Sequence, residues 1–124
     1  MREILFKAKR KDNGEWVEGL ITVMWGYYHI INPDDENVAY PIDFETICQY
    51  TGLTDKNGKK IWENDIVYIP YVHLEDTYCK VIFTFGAFIG ELADGTHDSI
   101  LSRLAEVIGN IFDNPELLEG GETA

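Results

Sequence analysis

The run Gln49-Tyr-Thr-Gly-Leu-Thr-Asp-Lys-Asn-Gly-Lys-Lys-Ile-Trp-Glu-Asn-Asp-Ile-Val-Tyr-Ile69 decides how the chain folds. It reads as a strand ending near Tyr50, a bend at Thr51 and Gly52, a polar turn at Asp55-Lys56-Asn57-Gly58, and a second strand from about Asp65. Asn and Gly both tolerate positive φ, so the pair lets a chain reverse between strands. The flanking runs do not alternate cleanly, which leaves a looser turn and a two-residue hairpin both open. Asp65-Ile66-Val67-Tyr68-Ile69 is β-branched and aromatic, entered through a Glu-Asn-Asp bend and predicted to stop at Pro70. An Asp at such a bend ties down turn backbone with its side chain, and Asp65 is assigned that role.

Outward from this run the chain continues as strands. Toward the N-terminus, Ile4, Phe6 and Ala8 alternate with Lys7 and Lys9, a half-buried strand with a basic side. The turn Lys11-Asp12-Asn13-Gly14 leads into Glu15-Trp-Val-Glu-Gly-Leu-Ile-Thr-Val23, completing a hairpin. That hairpin echoes the later turn, with a charged Asn-Gly followed by Trp, Glu and a bend residue, as two turns built by the same physics. Met24 to Ile31 reads as one strand, apolar on both faces and ended by an acidic loop at residues 32–37. Val38 to Asp43 is extended but unsuited to a central strand because of Pro41, and a strand from Phe44 or Glu45 re-enters the organising run.

Toward the C-terminus, Tyr71 to Asp76 reads as a loop or ragged edge, and Cys79 to Phe85 alternates as a strand. Gly86 turns the chain into a returning strand, Ala87 to Leu92. Ala93 to Asp98 reads as a loop. Ile100, Leu101 and Leu104 share a helical face after Asp98 and Ser99, Glu106 to Phe112 closes the sheet, and Asn114-Pro-Glu-Leu-Leu-Glu-Gly120 carries the start and stop signals of one helical turn. Residues 121–124 are expected to fray. The fold class expected is mainly β: a small SH3-like β-barrel over 44–112, an N-terminal β-hairpin extension over 1–43, and one or two short helices, with a helical turn and tail over 113–124.

Three segments carry a family resemblance: Gln49-Tyr-Thr-Gly-Leu-Thr-Asp-Lys-Asn-Gly58, Ile61-Trp-Glu-Asn-Asp-Ile-Val67 and Glu106-Val-Ile-Gly-Asn-Ile-Phe-Asp-Asn-Pro-Glu-Leu-Leu118. With the opening Met1-Arg-Glu-Ile-Leu-Phe-Lys-Ala8, they resemble the signature segments of the YopX family, small proteins of bacteriophages and prophages. Asn64 departs from the glycine that the family carries at that bend; Asn is the next residue most tolerant of positive φ, so the bend is expected to survive. The resemblance implies a fold and a phage setting, and it transfers no active site.

Composition narrows the function. The 124 residues suit one compact domain, with 45% apolar residues and sixteen aromatics, three Trp, seven Tyr and six Phe. No apolar run approaches a membrane span and the N-terminus carries no hydrophobic signal region, so a cytoplasmic setting is expected. Cys48 and Cys79 sit among apolar neighbours and are read as buried thiols. Ten basic against twenty-two acidic residues give a net charge of −12, which repels phosphate backbones and weighs against direct nucleic-acid binding. The clusters Lys7, Lys9, Arg10, Lys11 and Lys56, Lys59, Lys60 leave room for a small positive patch.

Sites for chemistry are hard to find. Gly52 to Lys60 approaches a phosphate loop, but the glycines are one residue too far apart, Lys60 replaces the metal-binding hydroxyl, and no helix follows. Cys48, Cys79, His29, His73 and His97 lack metal-ligand spacing, and Asp34-Asp35-Glu36 lacks the pattern of a calcium loop. Glu63 and Asp65 could share a strand face as an acid and base pair, but the turn-binding role of Asp65 is preferred. No catalytic residue, cofactor or metal is therefore expected. Trp16, Trp25, Tyr27, Tyr28, Trp62, Tyr68 and Tyr71 are more large rings than so small a core covers, and they are the candidate interface. The functional expectation is a non-enzymatic protein-interaction module that self-associates as a homo-oligomer; the alternative is an acidic DNA mimic that inhibits a host nucleic-acid enzyme.

Overall fold

The computed structural model describes residues 4–72, 75–92, 95–98 and 104–119, with backbone alone for 36, 71, 72, 75–77, 98 and 119. The helix expected around Ile100 and Leu101 and the tail lie outside the described residues. The fold is mainly β, with two antiparallel sheets among the described residues, and it divides into residues 1–50 and 51–124.

In the first unit, β1 (Phe6–Lys9) pairs with β2 (Trp16–Met24), which pairs with β3 (Tyr27–Asn32), which pairs with β4 (Asp35–Pro41). On its other side β1 pairs with the start of β5 (Cys48–Thr54), giving the order β4-β3-β2-β1-β5. Pro41 lies on the edge strand, where its missing N–H leaves no ladder bond unmade. Register puts Ala8 opposite Val17 and Ile21 opposite Ile30, so one face collects Ala8, Val17, Ile21 and Ile30, which pack with Ile42 and Ile47. Ile30 and Ile42 are buried, each contributing about 1.5–3 kcal/mol by leaving water.

Gly19 marks the closest approach in this sheet. A Cβ there would stand 2.1 Å from the carbonyl oxygen of Ile31 and 2.9 Å from Cγ2 of Ile30.

Two segments differ from the sequence reading. Met24 to Ile31 is not one strand: Trp25 and Gly26 form a two-residue turn, φ 53° and 81°, closed by Met24 opposite Tyr27. Positive φ at both central residues is the hairpin pattern whose twist suits strands, here with Trp where Asn or Asp is usual. Residues 32–37 are correspondingly no open loop, because Asp35 already pairs with Asn32. Phe44–Thr46 is a 3-10 turn rather than a strand: Asp43 accepts from the Glu45 N–H at 3.1 Å, and its carbonyl accepts from the Thr46 N–H at 3.0 Å. Glu45 and Thr46 thus bond back to Asp43 instead of to a neighbouring strand.

In the second unit, β5 continues without a break through Gly52, which takes φ 89°, and β6 (Lys60–Trp62) follows it in the strand order. The second sheet runs β10 (His97–Asp98), β9 (Ala87–Glu91), β8 (Glu75–Thr84), β7 (Asp65–Val72), β11 (Glu106–Asn110). Among the described residues one short helix, α1 (Glu116–Glu119), follows Pro115. No closed barrel is found among the described residues: the strand order of this sheet ends at β10 on one side and β11 on the other. Pro70 does not stop its strand: β7 runs on to Val72 and β8 starts at Glu75, because a register irregularity between Ile69 and Val72 absorbs the missing donor. Ile61, Val67, Ile69, Cys79, Val81 and Ala105 form the core, with Phe88, Leu92 and Val107 against it. Cys48 and Cys79 are both buried thiols.

The turn at 55–58 is held by Asp55. Its Oδ1 accepts from the N–H groups of Asn57 and Lys59 at 2.8 and 2.9 Å, and its Oδ2 accepts from Val107 N–H at 2.9 Å on β11. Lys56 N–H donates to the Ala105 carbonyl at 2.9 Å. Asp65 does what the bend required, accepting from Trp62 N–H at 2.8 Å, and Asn64 takes φ 71°.

No helix among the described residues is long and apolar enough to cross a membrane.

Candidate functional site

The basic run that starts on β1 reaches the site at Lys11. Lys7 and Lys9 lie over the ring of Trp16 at 4.6 and 5.5 Å, Arg10 over Tyr40 at 4.4 Å and Lys11 over Tyr27 at 5.4 Å. Each such contact is worth about 0.5–1 kcal/mol at an exposed position. Arg10 also grips Asp12 with two hydrogen bonds, 2.9 Å from Nε and 2.6 Å from Nη2, and this bond holds the Asp12 carboxyl below its usual range.

Backbone hydrogen bonds draw three segments of this unit together. Lys11 N–H donates to Pro41 O at 3.0 Å, Ile42 N–H to Tyr28 O at 3.2 Å and Asp43 N–H to Lys9 O at 2.9 Å. Thr46 locks the adjoining turn: its hydroxyl accepts from Lys9 N–H at 2.9 Å and donates to Asp43 O at 2.7 Å. Phe44 is thereby set against Tyr28, stacked with ring centroids 5.8 Å apart and planes 22° apart.

Between these parts lies an open groove of about 460 Å³, lined by Lys11, Gly26, Tyr27, Tyr28, Ile42, Asp43 and Phe44. Beside it stands Trp25, 86% exposed, with its ring edge toward His29 at 6.4 Å. Tyr27 is 63% and Phe44 60% exposed. A groove with aromatic walls, one ammonium and one carboxylate can hold a flat ring by stacking and meet one charge of each sign at its rim. Among the described residues no three His, Cys, Asp or Glu side chains are grouped to hold a metal ion.

Of the candidate interface residues, the fold gathers Trp25, Tyr27 and Tyr28 here. Trp16 is half-buried beneath Lys7 and Lys9, Trp62 is buried, and Tyr68 is half-buried against Tyr78 with centroids 5.2 Å apart. The side chain of Tyr71 is outside the described ones. Sequence reading missed Phe44, and it missed Phe85, which stands 95% exposed at the β8–β9 turn with φ 51°, followed by Gly86 at 79°. An aromatic immediately before glycine, between two apolar runs, marks both tips in the sequence.

Charge follows the same pattern. No Asp, Glu, Lys or Arg occurs from Gly19 to Pro33 or from Val81 to Gly90, so both hairpin ends are free of formal charge in a chain of net −12.

The two tips store strain, because a bulky residue in the left-handed region costs about 1–2 kcal/mol. Trp25→Asn and Phe85→Asn restore the Asn-Gly pair that this turn prefers. Each is expected to stabilise the chain by about 1 kcal/mol and raise Tm by about 4 °C in a thermal scan of a dilute sample. A lowered Tm would mean that the ring packs usefully within its own chain.

A family model described as YopX protein matches residues 5–119. Among solved structures, the crystal structure of protein EF1440 from Enterococcus faecalis is similar, with a TM-score of 0.61 and 26% identity over 95% of this chain and 99% of that one. Among curated proteins, none matches the chain.

Proposed function

The chain belongs to the YopX family, and on that premise we propose that it is a non-enzymatic accessory protein of a phage or prophage, working in the host cytoplasm by protein contact and associating with itself. The observation that carries this reading is the exposure of Trp25, Tyr27, Tyr28 and Phe44 around one groove, the first three on a hairpin without formal charge. Two copies of net charge −12 repel one another wherever carboxylates face each other. Surfaces that meet without that penalty are the ones bare of charge, and here the uncharged hairpin carries Trp25, Tyr27 and Tyr28, rings of the kind that anchor interfaces.

Sedimentation velocity over a wide concentration range tests this: the sedimentation coefficient should rise with concentration above that of a 14.2 kDa monomer. A constant monomer value, with no host protein retained on the immobilised chain, would remove the reading.

A second reading, the acidic DNA mimic, draws on charge asymmetry. Residues 51–124 hold five basic and thirteen acidic side chains, net −8, against five and nine, net −4, in residues 1–50. It requires salt-sensitive inhibition of a host nucleic-acid enzyme, an effect that the aromatic contact does not produce.

A further inference from the structure

We infer that the self-association resting on the reading above is a two-fold exchange, in which Trp25 of each copy enters the groove of a second copy. Knob and hole lie on the same end of the same unit: Gly26, the residue after Trp25, lines the groove. A two-fold axis beside the hairpin tip therefore brings each Trp25 to the other copy's groove, the self-complementary arrangement of most homodimers.

The groove matches the chemistry of an indole. Tyr28 and Phe44 stack in a nearly parallel pair and offer faces against which a third ring can pack. Lys11 supplies an ammonium at the rim, and Trp is the ring a cation favours most. The indole N–H, a donor only, needs an acceptor once buried. Asp43 provides one, since Oδ1 is bonded to Glu45 N–H and a carboxylate has further acceptor sites. The left-handed backbone fits this role. It holds a large ring at the outermost point of a two-residue turn, where little of its own chain covers it.

The test is complementation, read by sedimentation equilibrium. Trp25→Asn keeps the groove and removes the knob; Phe44→Glu keeps the knob and spoils the groove. Both residues are exposed, and circular dichroism confirms that each variant is folded. Alone, each variant should associate at least about thirtyfold more weakly than wild type, the scale of a hot-spot ring. An equimolar mixture should recover part of the loss, because one knob again meets one intact groove. Acrylamide quenching gives a second readout: Trp62 is buried and Trp16 half-buried, so dilution of wild type should expose chiefly Trp25. If Trp25→Asn associates as wild type does, or the mixture recovers nothing, the exchange is wrong while self-association stands. If wild type itself remains monomeric, both fall.

Discussion

Asp55→Ala is expected to lower the unfolding free energy by about 4 kcal/mol, read as a shifted urea midpoint at unchanged slope. The carboxylate is buried and accepts from three backbone N–H groups, on Asn57, Lys59 and Val107. Removing it strands those donors, and hydrogen bonds to an ionised acceptor are among the stronger ones. Since a domain of this size is stable by only about 5–15 kcal/mol, the loss is large. Asp55→Asn keeps one acceptor oxygen but presents an NH2 group to an N–H, and should lose about 2 kcal/mol. The pH dependence has a definite sign. Burial pushes the Asp55 carboxyl up, but the N–H groups of Val107, Lys59 and Asn57 and the charge of Lys59 together pull it further down, leaving it below its ordinary value. A depressed carboxyl contributes stability that is complete above its unfolded pKa of about 3.9 and is lost as the pH falls through the folded value. The gap between wild type and Asp55→Asn, full at pH 7, should therefore narrow once the pH drops below about 4. A gap that stays constant into acid would show that ionisation of Asp55 is not what holds the turn.

Gly19→Ala is expected to cost about 3 kcal/mol, the upper part of the range for overpacking. The obstacle is backbone, the Ile31 carbonyl 2.1 Å from where the new carbon would lie, so no rotamer change relieves it and β2 and β3 must separate. Gly26→Ala meets nothing within 4 Å and is opposed only by its positive φ, so its loss should be about 1 kcal/mol. Urea denaturation of the two variants side by side separates crowding from backbone strain. Equal losses would mean that the sheet opens to admit a methyl group. Because the β2–β3 turn carries Trp25, Gly19→Ala should also weaken the proposed self-association.

Local physics made part of this legible in the residues. The bend at Glu63-Asn64-Asp65 could be read because one side chain binds backbone three positions away and one residue tolerates a left-handed φ. Pro115 and its neighbours announced α1 for similar reasons. Distance hid other features. Asp55 looked like an ordinary turn residue because its decisive partner, Val107, is 52 positions away. The Trp25-Gly26 reversal was concealed because Trp is disfavoured where it sits, so an apolar run with a hairpin inside it passed for one strand. Ring content raised the expectation of an interface without saying which rings face out: Trp16 and Trp62 follow similar turns, yet both are covered more than Trp25. Phe44 became visible only through the 3-10 turn that sets it beside Tyr28.

The placement of the cysteines gives the chain two internal stopwatches. Cys48 lies within residues 1–50 and Cys79 within 51–124, both shut away from solvent. A thiol reacts with an alkylating reagent only when it is reached, so its modification rate counts the openings of the segment around it. With one cysteine replaced at a time, the lifetime of each half of the molecule can be timed in the intact chain, without adding a label.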